Sequence, residues 1–266
     1  MFTIPLFDDA PMRRPALLIW TIIIACALVF LWQIGLPPRA QRDAIYQLGV
    51  IPAVLFGEIE LPRRLQTVPG WASILTSMFL HGGWLHIIGN MLYLWIFGSS
   101  VEDAMSRPRF LVFYLLCGTA AALGQSLGAP HSTVPMIGAS GAIAGVLGAH
   151  LLLHPRANVR VLVVFFVIIR FVNLPAVLVL GLWFVLQLTS GASVPTDAGG
   201  VAFMAHVSGF IAGMLLIPFF KDREVPFFGG PYSASFAVAR SALPRGTAGS
   251  VPSAGGYRRS GRGPWG

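Results

Sequence analysis

From Phe110 to Pro155 the chain carries no charged residue, and from Leu65 to Val101 it carries none either. Stretches this long and this apolar have no polar face to turn to water, so they fold by facing lipid. A membrane helix needs about 20 such residues, so the first run holds two crossings and the second one. Gly128-Ala-Pro-His-Ser-Thr-Val-Pro135 supplies the turn chemistry that divides the longer run. Only 11% of the residues are charged, against about 25% in a soluble domain. Six spans follow: Ala16–Gly35, Ala72–Phe97, Phe110–Leu127, Met136–Leu153, Leu174–Thr189 and Gly199–Phe220. The expected fold class is an all-α membrane protein, a bundle of six transmembrane helices. Ala16–Gly35 follows basic residues as a secretory leader would. It is longer than a leader's apolar core and no small-residue cleavage site follows, so it is read as a retained span. Residues 157–173 are apolar for only half a crossing and are read as a segment on the membrane surface, with one long tilted helix as the alternative.

The cations set the expected orientation. Of the 18 Lys and Arg, only Arg39, Arg42, Arg63 and Arg64 fall in outer loops if the N-terminus is cytoplasmic, and the other 14 fall inside. The positive-inside rule therefore predicts both termini in the cytoplasm, and the expected location is a prokaryotic plasma membrane. The domain organisation expected is a cytoplasmic N-terminus (1–15), a membrane domain (16–220) with an outer loop (36–70), and a basic tail (221–266). The tail is rich in Gly, Ser, Pro and Arg and is read as disordered; its cations could touch anionic lipid. The net charge of +8 would suit nucleic acid only as a basic stripe on a soluble fold, so no nucleic-acid partner is expected. Cys26 and Cys117 sit in apolar runs without metal or redox spacing.

Polar residues inside spans are expensive and mark candidate sites. Here they are few: His81, His86 and Asn90 in the second span, Ser140 in the fourth, Gln187 in the fifth, His206 and Ser208 in the sixth. The second, fourth and sixth spans all run inward. At 1.5 Å per residue, Ser140 and His206 share one depth on the order of 6–11 Å below the outer ends. His86 and Asn90 join them if the second helix begins near Gly82-Gly83, where paired glycines disfavour helix interior. His86 and Asn90, four apart, project from one helix face. A hydroxyl, an imidazole and an amide donor are the parts of a serine acyl-transfer site. None of the ten acidic residues lies inside a span, so the arrangement available is a Ser–His dyad. Gly141-x-x-x-Gly145 and Gly209-x-x-x-Gly213 would let the fourth and sixth helices approach closely enough to form it.

Gly138-Ala-Ser-Gly141, Ala205-His206-x-x-Gly209-x-x-x-Gly213 and His81-Gly-Gly-Trp-Leu-His86-x-x-x-Asn90 together resemble the rhomboid family of intramembrane serine proteases, over roughly Ala16 to Phe220. The resemblance implies that Ser140 is the nucleophile and His206 the general base. It implies that His86, Asn90 and the Ser140 backbone N–H stabilise the oxyanion, with Gly138, Gly141, Gly145, Gly209 and Gly213 as structural support. The substrates implied are transmembrane segments of other proteins, cut by a peptidase that needs no cofactor or metal. Two positions depart from the family's pattern. Ala72 and Ser73 stand where many members have Trp-Arg in the first outer loop. Ala144 stands where some have an aromatic that stacks on the catalytic histidine, a role left to Trp183 or another aromatic.

Rival functions lack their residues. A membrane metalloprotease needs a set such as His-Glu-x-x-His, which is absent from the sequence. A six-span transporter should show inverted repeats or interrupted half-helices, and none is visible. A rhomboid-like binding protein that has lost Ser or His is the nearest competitor, and this chain keeps both. No motif names a natural substrate or sets an oligomeric state.

Overall fold

The computed structural model describes residues 2–165, 168–193, 202–230 and 232. Nine α-helices occur among them: α1 (Leu17–Ile34), α2 (Pro38–Leu48), α3 (Pro52–Leu55), α4 (Gly70–Thr76), α5 (Trp84–Asp103), α6 (Arg107–Gly128), α7 (Ser140–Leu153), α8 (Ala176–Ser193) and α9 (Phe203–Phe220). Four of these, α1, α5, α6 and α9, are long and apolar enough to cross a membrane. On α1 the residues at helical spacing Leu17, Trp20, Ile24, Leu28 and Leu31 stay exposed, as a lipid-facing stripe would.

The all-α expectation is corrected by a three-stranded sheet. Strands β1 (Phe2–Asp8), β2 (Asn158–Phe165) and β3 (Ile168–Pro175) pair antiparallel in the order β1-β2-β3, with Val163 opposite both Thr3 and Arg170. The surface segment expected at 157–173 is therefore most of a hairpin. Its alternating β-branched residues favour a pleated surface, and Val159 and Val161 bury one face of β2. The fourth span is also shorter than expected. Residues 136–139 are not helical, because Met136 exchanges two backbone hydrogen bonds with Val50 of the preceding loop (2.7 and 3.0 Å) and Gly138 takes φ +124°. Helix α7 thus starts at Ser140 and spans 14 residues.

Helix α7 is the centre of the bundle: every residue from Gly141 to His150 is buried. It packs backbone to backbone on α9. A Cβ at Gly209 would overlap the Gly141 carbonyl, one at Gly213 the Gly145 carbonyl, and one at Gly148 the Phe210 carbonyl. On its other side a Cβ at Gly145 would overlap Cys117 of α6. Ser208 fills the notch over Gly124 of α6, which makes it a packing residue.

Carboxylates tie the opposite end together. Glu102, buried at the end of α5, accepts from the Leu18 and Ile19 N–H groups (3.1 and 2.8 Å), while Asp103 accepts from those of Arg13 and Arg14. Both satisfy donors at or just before the start of α1 that would otherwise lack partners. Residues 221–230 and 232 belong to this packed end rather than to the tail in which the sequence placed them. Asp222 pairs with Arg109 (3.1 Å), and Phe228 and Gly229 donate to the Leu152 and Leu153 carbonyls at the end of α7. Tyr232 O–H lies 2.7 Å from His154 Nδ1. The stretch 234–266 lies outside the described residues.

Two predictions follow from this packing. Gly209→Val should destabilise the fold by about 2–3 kcal/mol, whereas Gly181→Ala on α8, where a Cβ meets nothing, should be neutral or stabilise by up to ~1 kcal/mol. Thermal unfolding in detergent measures both. The second concerns Asp8, whose carboxyl faces His150 Nε2 at 3.4 Å. Burial, with Asp9 adding to it, raises this carboxyl to about 7. A carboxyl raised in the folded state favours folding while protonated, and that contribution is lost as pH rises through about 7. Asp8→Asn should therefore be more stable than the parent at pH 8, with the difference closing toward pH 4.

Candidate active site

Ser140 and His206 meet where α7 and α9 begin. Ser140 is the first residue of α7, so its N–H has no acceptor within the helix. His206 is the fourth residue of α9, whose first turn is capped from outside: Ala205 N–H donates to Gln125 Oε1 of α6 at 3.1 Å. With the glycine contacts holding the two helices together, Ser140 Oγ lies 2.8 Å from His206 Nε2. The other ring nitrogen, Nδ1, lies 2.7 Å from Gln187 Oε1 of α8. A carboxamide oxygen only accepts, so Nδ1 carries the proton and Nε2 is left to accept from the serine hydroxyl.

His86 and Asn90 face the same point. Helix α5 begins at Trp84, directly after Gly82-Gly83, which brings both residues to the level of Ser140. Gly82 N–H donates to His86 Nδ1 at 3.1 Å. That contact fixes the other tautomer here, with Nε2–H as the free donor. The position of a Cβ on Gly138 would be 2.8 Å from His86 Nε2 and 3.7 Å from Asn90 Nδ2. Asn90 Nδ2 is buried and finds no partner among the described residues. The Gly138 N–H is held by the Ser77 carbonyl at 2.9 Å. Two side-chain N–H donors thus converge just ahead of Ser140, and its own N–H lies at the same helix start.

These groups line a cavity of about 930 Å³, together with Met204, Gln125 and Trp183. The Trp183 ring stands over His206, centroids 5.8 Å apart at 37°, where Ala144, fully buried in α7, cannot reach. His81 is buried on the far side of His86, with ring centroids 5.2 Å apart. The side chain of Gln33 on α1 clamps the His81 backbone on both sides, donating to its carbonyl (2.9 Å) and accepting from its N–H (3.2 Å). The sequence alone does not single out Gln33 or Gln125 and gives Gln187 no role. The available signal was a carboxamide inside an otherwise apolar helix. No group of three or more metal-ligating side chains occurs among the described residues.

A membrane-helix bundle with a serine–histidine contact at the start of two glycine-packed helices defines a class, and the comparisons name it. Residues 69–223 match the rhomboid family, described as "Rhomboid domain". The chain belongs to the rhomboid family. It is 26% identical over 198 residues to "Rhomboid-like protein 11, chloroplastic" of Arabidopsis thaliana, covering 68% of this chain and 66% of that one. It is 31% identical over 196 residues to "Rhomboid protein 1, mitochondrial" of Saccharomyces cerevisiae, covering 65% and 52%. Over a shorter stretch of 79 residues it is 40% identical to "Rhomboid protease GluP" of Bacillus subtilis, covering 30% and 15%. The matches therefore span between a seventh and two thirds of these relatives' lengths.

Gly138 is sensitive twice over: its φ of +124° strains any other residue and its Cα faces His86. Gly138→Ala should cost more stability than Gly57→Ala, where φ is +74° but the space is open. Strain alone is worth about 1–3 kcal/mol, and parallel thermal melts measure a difference to which both the less accessible φ of Gly138 and the His86 contact contribute.

Proposed function

We propose that this chain is an intramembrane serine endopeptidase that hydrolyses peptide bonds in or near transmembrane segments of other membrane proteins by a Ser140–His206 dyad. The observation that carries the reading is the 2.8 Å contact between Ser140 Oγ and His206 Nε2, beside the unpaired Asn90 Nδ2 donor and a cavity. The protease named among its relatives supports it. Ser140 Oγ attacks the scissile carbonyl carbon as its proton passes to His206 Nε2. The resulting oxyanion takes hydrogen bonds from Ser140 N–H, His86 Nε2–H and Asn90 Nδ2–H. The imidazolium then protonates the leaving amine, and an acyl-enzyme remains on Ser140. Water from the cavity, deprotonated by His206, releases the second product.

In this reading α7 and α8 complete a six-span bundle with both termini cytoplasmic. Arg13, Arg14, Arg107, Arg109 and Lys221 cluster by sequence at one set of helix ends, with Arg39, Arg42, Arg63 and Arg64 in the segment between α1 and α5. Pro52 and Ile74 of that segment line the cavity, so cleavage falls toward the outer face. A helical substrate hides its carbonyls in intrahelical hydrogen bonds, so segments with Gly, Pro or small residues near the scissile bond unwind most cheaply.

A general base is worth about 10²–10⁴-fold and an oxyanion donor about 10²–10³-fold. Cleavage of a model transmembrane substrate by the purified chain should therefore vanish in Ser140→Ala and His206→Ala and persist at a low level in Asn90→Ala. Cleavage by Ser140→Ala at the parent rate would refute the mechanism.

A further inference from the structure

Serine–histidine sites generally owe their efficiency to a third group that holds the imidazole in one tautomer and orientation. Among the described residues no carboxylate lies within a hydrogen bond of His206. Its Nδ1 instead meets Gln187 Oε1 at 2.7 Å. Four residues earlier on α8, Trp183 sets its ring over the same imidazole. Residues i and i+4 share one helix face, so α8 presents a flat apolar shelf and an acceptor to one histidine. The helix is seated for this by Phe184, which stacks on Phe210 of α9 at 4.5 Å. Elsewhere Leu182, Val185, Leu186 and Leu188 of α8 remain exposed. The half-buried Gln187 carboxamide is turned to His206 instead.

We infer that Gln187 is the positioning residue of this site: its carboxamide oxygen holds the Nδ1–H tautomer of His206, so that Nε2 faces Ser140 as a base. The inference deepens the proposed protease function and rests on it for its chemistry. During acylation the Ser140 proton moves to Nε2 while the Nδ1 proton stays bonded to Gln187, so the cationic ring is held by a dipole rather than a charge. An amide suits a membrane interior, where an unpaired carboxylate would be costly to bury. Without it the imidazole is free to take the other tautomer, which presents a proton instead of a lone pair to Ser140.

The test compares the purified full chain with Gln187→Met, which keeps the length of the side chain without the acceptor, and Gln187→Glu, which keeps the acceptor. On a model transmembrane substrate Gln187→Met should lower kcat about tenfold or more with KM within about twofold, and Gln187→Glu should recover kcat to within about threefold of the parent. Nitrogen-15 spectra of labelled histidine in the unmutated chain at neutral pH should show His206 protonated at Nδ1, and a tautomer mixture in Gln187→Met. Parent-like kcat in Gln187→Met, a loss carried by KM alone, an equal loss in Gln187→Glu, or an Nε2-protonated His206 in the unmutated chain would each overturn the inference. An unmutated chain that cleaves nothing, yet shows the Nδ1–H tautomer lost in Gln187→Met, would retire the protease reading and leave the positioning of His206 standing.

Discussion

The approach of α7 to α9 is the contact on which everything else depends. Lipid gives apolar helices little reason to prefer each other over the bilayer, so close packing has to supply the attraction. An added carbon on Gly209 or Gly213 would overlap the Gly141 or Gly145 carbonyl, and one on Gly148 the Phe210 carbonyl. That proximity puts the first turn of α7 against the first turn of α9 and leaves a hydroxyl and an imidazole 2.8 Å apart. A crossing wider by the width of a methyl group would break the contact without changing either helix.

Three glutamines then hold the site's backbone and histidine by uncharged hydrogen bonds. Gln33 clamps the loop that leads into His86, Gln125 caps the turn that carries His206, and Gln187 faces the histidine itself. Each provides an acceptor without a charge, and so avoids the desolvation cost of a buried ion. Carboxylates act instead at the opposite end of the bundle, where Glu102 and Asp103 hold the start of α1.

The long apolar helices and the polar residues gathered at the candidate site were legible in the sequence because both rest on strong local signals, whereas α2 and α3 fall in a segment that reads only as an outer loop. Uncharged runs mark spans, and a histidine, serine or asparagine in such a run stands out by its cost. The start of α5 was legible too, since Gly82-Gly83 interrupts the apolar pattern. The hairpin of β2 and β3 was not, because a short apolar run of Val, Leu and Phe reads equally as strand or helix until its partner is known. Its partner, β1, lies some 150 residues away in sequence. Residues 136–139 were assigned to a helix for a similar reason: their non-helical course depends on a bridge to Val50. Gln187 had a visible cost but no visible purpose, because its role depends on how α8 is seated against α9.

The central claim is that His206 activates Ser140 as a nucleophile. The most direct measurement is the mass of the intact chain after treatment with a fluorophosphonate, with the adduct mapped by peptide sequencing. One adduct per chain is expected, on Ser140, formed far more slowly in His206→Ala. An unmodified Ser140, or labelling at the same rate without His206, would contradict it.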